Sequence, residues 1–366
     1  MPHRRAPRTR SIRAAVLRQP GAPLTIEELA LEGPRDDEVL VRLAASGICR
    51  TDIHYCESGA GGAVVLGHEG AGVVEEAGTA VEGVKRGDHV VLSYQSCGGC
   101  SPCADGRPAD CRRFWELNFG FQRLDGSNAL DRSGVRGHFF GQSSFATHAL
   151  ATARNLVKVA NTLPLDLLAP LGCGLQTGAA TVLNSLAVQA GASLAVFGTG
   201  SVGLAAVMAA RIAGADPIIG VDIHPKRLAL ARELGATHGV DARKDDVATS
   251  IRGITGRGVD HVVESTGDGA LYRAGVGLLN PGGSMALLTG GGGPGELPDG
   301  RKVFGVIQGD AVPQRFIPYL IELHEQGRFP FDRLVTFYSF RDINRAMADA
   351  NRGDVIKPVL RMGGGG

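Results

Sequence analysis

The chain has 366 residues, enough at about 150 residues per domain for two domains with separate cores. Hydrophobic residues make up 43% and charged residues 20%, and a formal net charge of +1 offers no basic field to a nucleic acid or an anionic membrane. No run approaches the roughly 18 apolar residues that a membrane span needs, and 54 glycines signal many tight turns and close backbone approaches.

The segment from Met1 to Arg13 carries five arginines and runs into Ala14–Leu17, too short for the apolar core of a secretion signal. It reads as a disordered tail, with a transit peptide as the alternative. Seven cysteines without an export signal suit metal ligands or free thiols better than disulfides, and a cytoplasmic protein is expected.

From Ser11 to about Val159 the chain reads as short strands between glycine-rich turns, for example Val39–Leu43 and His89–Leu92. Near Thr177 the texture changes. Helix-length apolar patterns (Ala179–Gln189, Val202–Ala213, Pro225–Leu234, Leu271–Leu279) alternate with short apolar runs (Leu194–Phe197, Pro217–Val221, Val259–Glu264, Ser284–Leu288). That alternation predicts an α/β unit with a doubly wound parallel sheet. After about Lys302 a strand, a helix near Val312–Glu325 and a strand near Val355–Leu360 are expected to rejoin the first domain. Gly363–Gly366 reads as a disordered tail, and no internal repeat is evident.

Gly198-Thr199-Gly200-Ser201-Val202-Gly203 follows the run Leu194–Phe197 and opens a helical pattern. A lone GxGxxG is weak in a glycine-rich chain; a strand before it, a helix after it and an acid about 20 residues on make it strong. The glycines let backbone approach a pyrophosphate at the positive end of the helix. Asp222 closes the next strand, where a carboxylate would bond both ribose hydroxyls and repel a 2′-phosphate, favouring NAD over NADP. His224, Lys226 and Arg227 bring positive charge close by and could soften that discrimination. The bland alternative is a glycine turn that packs a helix on a sheet and binds nothing.

Cys97, Cys100, Cys103 and Cys111 put four thiols in one loop rich in glycine and proline, a pattern that fits a closed tetrahedral zinc site. An iron–sulfur cluster and plain loop cysteines are the alternatives. A second set is dispersed: Cys49, the pair His68-Glu69, and Cys173. Each alone suits a buried thiol or a satisfied histidine. Together, two thiolates and an imidazole leave one tetrahedral position open, as a catalytic zinc requires. Such a zinc polarises an alcohol oxygen and lowers its pKa.

With those residues in place, the chain resembles the zinc-containing medium-chain alcohol dehydrogenases from Arg13 to about Arg361. The resemblance is carried by Gly47–His54, Gly67–Gly72, Cys97–Cys111, Leu171–Gly178, Gly198–Gly203 and Asp222. Within that family it is most similar to bacterial aryl (benzyl) alcohol dehydrogenases, through Gly137–Phe145, Leu171–Thr177 and Gln326–Asp332. The resemblance implies a GroES-like, mostly β catalytic domain (1–177 and 303–366) and a Rossmann coenzyme domain (178–302). It implies two zinc ions per chain: Cys49, His68 and Cys173 on the catalytic ion, and Cys97, Cys100, Cys103 and Cys111 on the structural one.

By the same resemblance, Thr51 would hydrogen-bond the alcohol and pass its proton by way of the cofactor ribose to His54. Asp52 and Glu69 would orient the zinc ligands. Gly198, Gly200, Val202 and Gly203 would line the NAD pyrophosphate, with Arg50 and Lys357 beside it, Thr177 near the nicotinamide and Arg227 near the adenosine ribose. Cys56 matches no functional position and reads as a small buried residue. Ser93, where the family often has an aromatic, could leave room for a bulky substrate unless Tyr94 swings in, and Phe139 and Phe140 would line the opposite wall.

The expected reaction moves a hydride between a primary alcohol, aryl or allylic, and NAD, giving the aldehyde, in a homodimer (or a homotetramer) with no nucleic-acid or membrane partner. Two other readings stay open. One is a reductase or terpenoid-alcohol dehydrogenase built on the same site. The other is a zinc-stabilised NAD-binding protein without chemistry, which the intact Thr51, His54 and open ligand set disfavour.

Overall fold

A computed structural model describes residues 9–130, 133–289 and 295–363. The arginines before residue 9 and the glycine tail from residue 364 lie outside them. Among the described residues, no helix is long and apolar enough to cross a membrane. The chain forms two compact units: one ends at Cys173 and resumes at Leu334, and the other is Gly174–Arg333.

In the first unit, β1 (Thr9–Leu17), β2 (Thr25–Glu32) and β4 (Val64–Val65) make an antiparallel sheet in the order β2-β1-β4. A larger sheet contains β3 (Glu38–Gly47), β5 (Glu69–Ala77), β6 (His89–Leu92), β7 (His148–Thr152) and β8 (Leu156–Val159). Its spine is β3, where Val39 and Val41 supply β-branched bulk and every residue but Arg42 and Ala44 is buried. It pairs with β5 along one edge and with β7 at its start on the other. Gly72 lets β5 come this close, because a Cβ there would lie 2.2 Å from the Arg42 carbonyl oxygen. At the far end, Gly47 leads directly into Ile48 and Cys49.

In the second unit, β9 (Leu194–Phe197), β10 (Ile218–Asp222), β11 (His238–Asp241), β12 (Val259–Glu264), β13 (Leu279–Leu287), β14 (Gly295–Glu296) and β15 (Lys302–Gly305) form one sheet ordered β11-β10-β9-β12-β13-β15-β14. All pairings but β14 with β15 are parallel. The chain reverses direction across the sheet between β9 and β12, and such a sheet binds ligands beyond the carboxyl ends of its strands at that point. Phe197, Ile219, Val221, Val262 and Met285 fill the core beneath. The first unit closes with β16 (Val335–Ser339) and β17 (Lys357–Arg361), and β17 pairs with the end of β3.

The boundaries correct the sequence reading, which gave 1–177 and 303–366 to the catalytic domain. β15 pairs in parallel with β13, and the helix Pro313–Glu325 packs on the helix Gly174–Ala180, so 303–333 and 174–177 belong to the second unit. The helix expected at Ala179–Gln189 instead starts at Gly174 and ends in a π turn at Ser185, while the helix Pro225–Leu234 has the predicted bounds.

Among the described glycines of the second unit Gly203 carries the tightest approach, since a Cβ there would lie 1.8 Å from the Gly198 carbonyl oxygen. Gly203→Ala is therefore expected to destabilise this unit by about 1–3 kcal/mol. Gly253, inside the helix Val247–Thr255, has nothing within 4 Å of its Cβ direction, so Gly253→Ala should stabilise by about 0.5–1 kcal/mol. Thermal unfolding of both variants checks the contrast, and equal melting temperatures would contradict the packing described here.

Candidate active site

Cys49 follows β3 and caps the helix Arg50–Ser58 from an extended conformation (φ −110°, ψ 159°). Asp52, in the first turn, is fully buried; its Oδ2 accepts the Cys49 N–H at 2.9 Å. Its Oδ1 accepts the Gly67 N–H at 3.1 Å and His68 Nδ1 at 2.9 Å. Because a carboxylate only accepts, Nδ1 carries the proton and Nε2 keeps its lone pair. That Nε2 is buried with no hydrogen-bond partner. Ligand atoms of Cys49, His68, Glu69 and Cys173 all lie within 4.8 Å of one another. An orphaned imidazole lone pair among two thiols and a carboxylate fits a metal cation.

The electrostatics agree. The adjacent Cys173 thiol, and then His68, hold the Cys49 thiol well below its usual range against the effect of burial. Burial disfavours charge on His68, but Asp52 and Cys49 outweigh it and keep the imidazole well above its usual value. A cation would displace the imidazolium proton, which frees the Nε2 lone pair, and would meet a Cys49 sulfur already disposed to the thiolate.

Glu69 opens β5, and its carboxylate is held by Lys357 from β17, with Nζ 2.9 Å from Oε1, 3.1 Å from Oε2 and 3.0 Å from the Ile48 carbonyl. Burial works against the Lys357 charge, but Glu69 more than restores it. This corrects the expectation at Lys357: its side chain is 2% exposed and bound to Glu69, which leaves no ammonium to meet a pyrophosphate. A Glu69 carboxylate oxygen lies within 4.8 Å of the ligand atoms of Cys49, His68 and Cys173, while both its oxygens are bonded to Lys357.

Thr51 Oγ1 lies 3.8 Å from Cys49 Sγ, and His54 follows one helical turn later with an exposed side chain. Arg50, also exposed, donates to Asn351 Oδ1. Ser93 is buried and donates to the Gly172 carbonyl at 2.6 Å. Tyr94 is buried with its ring 5.6 Å from that of Phe114. Cys56 is half-buried, 3.7 Å from the Met347 sulfur, and burial pushes its thiol up to about 12.

An aromatic wall stands on the His68 side. Phe140 stacks on the imidazole with centroids 4.3 Å apart at 19°, and Phe139 meets it edge-on at 5.4 Å. Phe119 packs 4.9 Å from Phe140, and Tyr55 packs 5.2 Å from Phe139 and 6.0 Å from Phe119. The segment bends sharply to do this, with His138, Phe140 and Ser143 all in the left-handed region (φ 62°, 52° and 54°). Sequence reasoning found Phe139 and Phe140 but missed Tyr55 and Phe119. Tyr55 sits one residue beyond His54 on the same helix, and that adjacency was the available signal.

The other four cysteines form a second cluster whose sulfurs also lie within 4.8 Å of one another. Three separations are 3.4 Å (Cys100–Cys103), 4.0 Å (Cys97–Cys103) and 4.0 Å (Cys100–Cys111). Four sulfurs at about 2.3 Å from a tetrahedral zinc would stand about 3.8 Å apart, so these residues fit that ion and leave it no open position. Backbone donors from Arg112 and Cys103 bring the Cys100 thiol down to about 6, while burial pushes Cys111 up to about 12.

In the second unit, Gly198 adopts φ 86°, where a side chain would be strained and would meet Ser265 Oγ at 2.7 Å. Gly200 caps the helix Ser201–Ala213 with no side-chain bond, and nothing lies within 4 Å of its Cβ direction. The helix therefore offers its first N–H groups, Ser201 through Gly203, to an anion in open space. Val202, half-buried in that first turn, has its carbonyl oxygen 2.0 Å from where a Cβ on Gly178 would lie.

Asp222 ends β10 with its carboxylate fully engaged. Oδ2 accepts Thr199 N–H at 2.7 Å and Thr199 Oγ1 at 3.0 Å, and Oδ1 accepts His224 N–H and His224 Nδ1, each at 2.9 Å. Arg227 Nη1 stands 3.9 Å from Oδ2. Burial pushes the Asp222 carboxyl up, yet the His224 and Thr199 donors outweigh it and hold it below the usual range. Thr177 Oγ1 lies 3.5 Å from Gln308 Oε1, which also accepts Gln176 Nε2 at 3.0 Å; Gln308 carried no signal in the sequence.

Residues 35–161 match the family described as "Alcohol dehydrogenase GroES-like domain", and residues 201–322 match "Zinc-binding dehydrogenase". A geraniol dehydrogenase of Castellaniella defragrans is 45% identical, the alignment covering 96% of this chain and 97% of that protein. The crystal structure of an "Alcohol dehydrogenase zinc-binding domain protein" from Burkholderia ambifaria superposes with TM-score 0.94 at 51% identity, over 98% of this chain and 100% of that one. Benzyl alcohol dehydrogenase from Acinetobacter calcoaceticus superposes with TM-score 0.93 at 41% identity, over 97% of this chain and 100% of that one. With likeness running through both units and two thiol-bearing clusters shaped for a cation, the chain belongs to the zinc-dependent medium-chain alcohol dehydrogenases.

Proposed function

We propose that the protein oxidises primary alcohols whose CH2OH group adjoins a π system, aryl or allylic, to the aldehyde with NAD as hydride acceptor. The observation that carries the reading is the aromatic wall of Phe139, Phe140, Phe119 and Tyr55 against His68, the residue with the orphaned lone pair. Flat faces and edges of this kind suit a planar substrate. The similarity to a geraniol dehydrogenase and a benzyl alcohol dehydrogenase supports it, since each of those alcohols has that arrangement.

Cys49, His68 and Cys173 would hold the catalytic zinc, with Glu69 beside them, and Cys97, Cys100, Cys103 and Cys111 the structural one. When bound, the catalytic zinc supplies a Lewis acid that lowers the pKa of an alcohol, and NAD supplies the nicotinamide that takes hydride. Asp52 keeps His68 in the tautomer that presents Nε2. Lys357 fixes the Glu69 carboxylate. Thr51 Oγ1 takes the hydroxyl proton and passes it on. His54, three residues along the same helix and so on the same face, is the base at the solvent end. In the second unit the Gly198–Gly203 turn receives the pyrophosphate and Asp222 the adenosine ribose, with Arg227 beside it; an anion at Asp222 disfavours a 2′-phosphate.

An alcohol panel followed by NADH absorbance tests the reaction: benzyl alcohol, cinnamyl alcohol and geraniol should each be turned over well ahead of hexanol. Geraniol far ahead of both aryl alcohols would favour a terpenoid substrate, and no turnover of any would refute the reading. Metal analysis is expected to find two zinc ions per chain. Cys173→Ser should reduce this to one and cut turnover by more than the roughly 10–100-fold seen for groups behind a metal ligand, whereas Cys100→Ser should chiefly lower the melting temperature. Wild-type protein with one zinc or fewer would contradict the two assignments. His54→Gln should slow oxidation below about pH 7 by less than the roughly 10²–10⁴-fold of a positioned base, with imidazole buffer restoring part of the loss at unchanged zinc content. A rate–pH profile that overlays the wild type would show that the proton leaves elsewhere.

A further inference from the structure

The carboxylate of Asp222 has about four lone-pair directions, and all four are taken. Two of the donors, the N–H groups of Thr199 and His224, are fixed by the backbone. The Thr199 hydroxyl is fully buried. Only the His224 imidazole can leave. Its side chain is 34% exposed against 4% for Asp222, and its Nδ1–H sits on Oδ1 between the carboxylate and solvent.

We propose that His224 is a specificity-determining residue, an imidazole latch on Asp222 that an adenosine ribose must displace and that masks the Asp222 charge from a 2′-phosphate. The inference rests on the reading of Asp222 as the ribose acceptor. A 2′,3′-diol needs a lone pair that His224 occupies, so the ring must rotate outward and its hydrogen bond is lost on binding. A 2′-phosphate needs no lone pair; it meets an anion whose Oδ1 is covered by the His224 N–H and which Arg227 approaches to 3.9 Å. The latch therefore weakens NAD and tolerates NADP, narrowing the preference that a bare aspartate would impose.

The test uses ADP-ribose and 2′-phospho-ADP-ribose, fragments without a nicotinamide, titrated calorimetrically into wild type, His224→Ala, His224→Gln and Asp222→Ala. For a partly exposed hydrogen bond to a carboxylate, His224→Ala should bind ADP-ribose roughly threefold to fivefold more tightly and 2′-phospho-ADP-ribose no more tightly, or less. His224→Gln, which keeps an N–H donor, should behave as wild type. Affinities for both fragments that fall together, or that do not move, would overturn the latch. His224→Ser gives a second side chain without a long donor should the alanine variant fold poorly. Failure of the underlying reading looks different: Asp222→Ala would then leave the relative affinity for the two fragments unchanged whatever His224 does.

Discussion

Asp52 is an anion with no exposure to solvent, and burying a charge is tolerable only when its acceptor positions are filled. Its three donors come from two separate stretches of chain: Cys49 on one side, Gly67 and His68 on the other. The same bonds that make the buried charge affordable thus bring a thiol and an imidazole to one place and choose the tautomer. Most of what the centre can do follows from that. A cation finds a lone pair already aimed at it, and the helix carrying Thr51 and His54 starts at the residue that Asp52 holds.

A second buried charge pair works beside the first. Lys357 joins the end of β3, through the Ile48 carbonyl, to Glu69 at the head of β5. Removing one member of a buried pair costs about 3–5 kcal/mol because the other is left unpaired. The pair fixes where β17 must lie, and with it the close of the first unit. The closed cysteine cluster has a different character, since its donors come from one short loop and its charge is stabilised by neighbouring backbone N–H groups. One centre is assembled by tertiary structure. The other is assembled by local turns.

That difference decides how much was legible in the sequence. The four-cysteine loop and the Gly198–Gly203 turn are contiguous, and spacing alone exposes them. Cys49, His68 and Cys173 lie far apart; each alone suits a buried residue, their donor types together suggest an open zinc site, and the family resemblance gave each its role. Lys357 was placed at the pyrophosphate through the family resemblance alone; the warning was the apolar stretch Pro358-Val359-Leu360 that follows it, which is buried with it. The boundary near 303 failed for a related reason. Nothing local in Lys302–Gly305 says that its partner is β13. Asp222 was found by position, while its saturation by Thr199 and His224 depends on side-chain geometry that no pattern encodes. Tyr55 and Phe119 join the aromatic wall only once the helix and the loop have folded together.

The segment from His138 to Ser143 links catalytic geometry to evolvability. Phe140 holds a backbone conformation that costs an L residue about 1–2 kcal/mol, and its ring stacks on His68. Glycine or asparagine there would relax the backbone and widen the pocket in a single step, yet each would leave the imidazole without its stacking partner. Selection for broader substrate scope at this position therefore meets opposition from the metal ligand behind it. Variants that enlarge the pocket should emerge first at Phe119 or Tyr55, whose rings carry neither the strain nor the histidine.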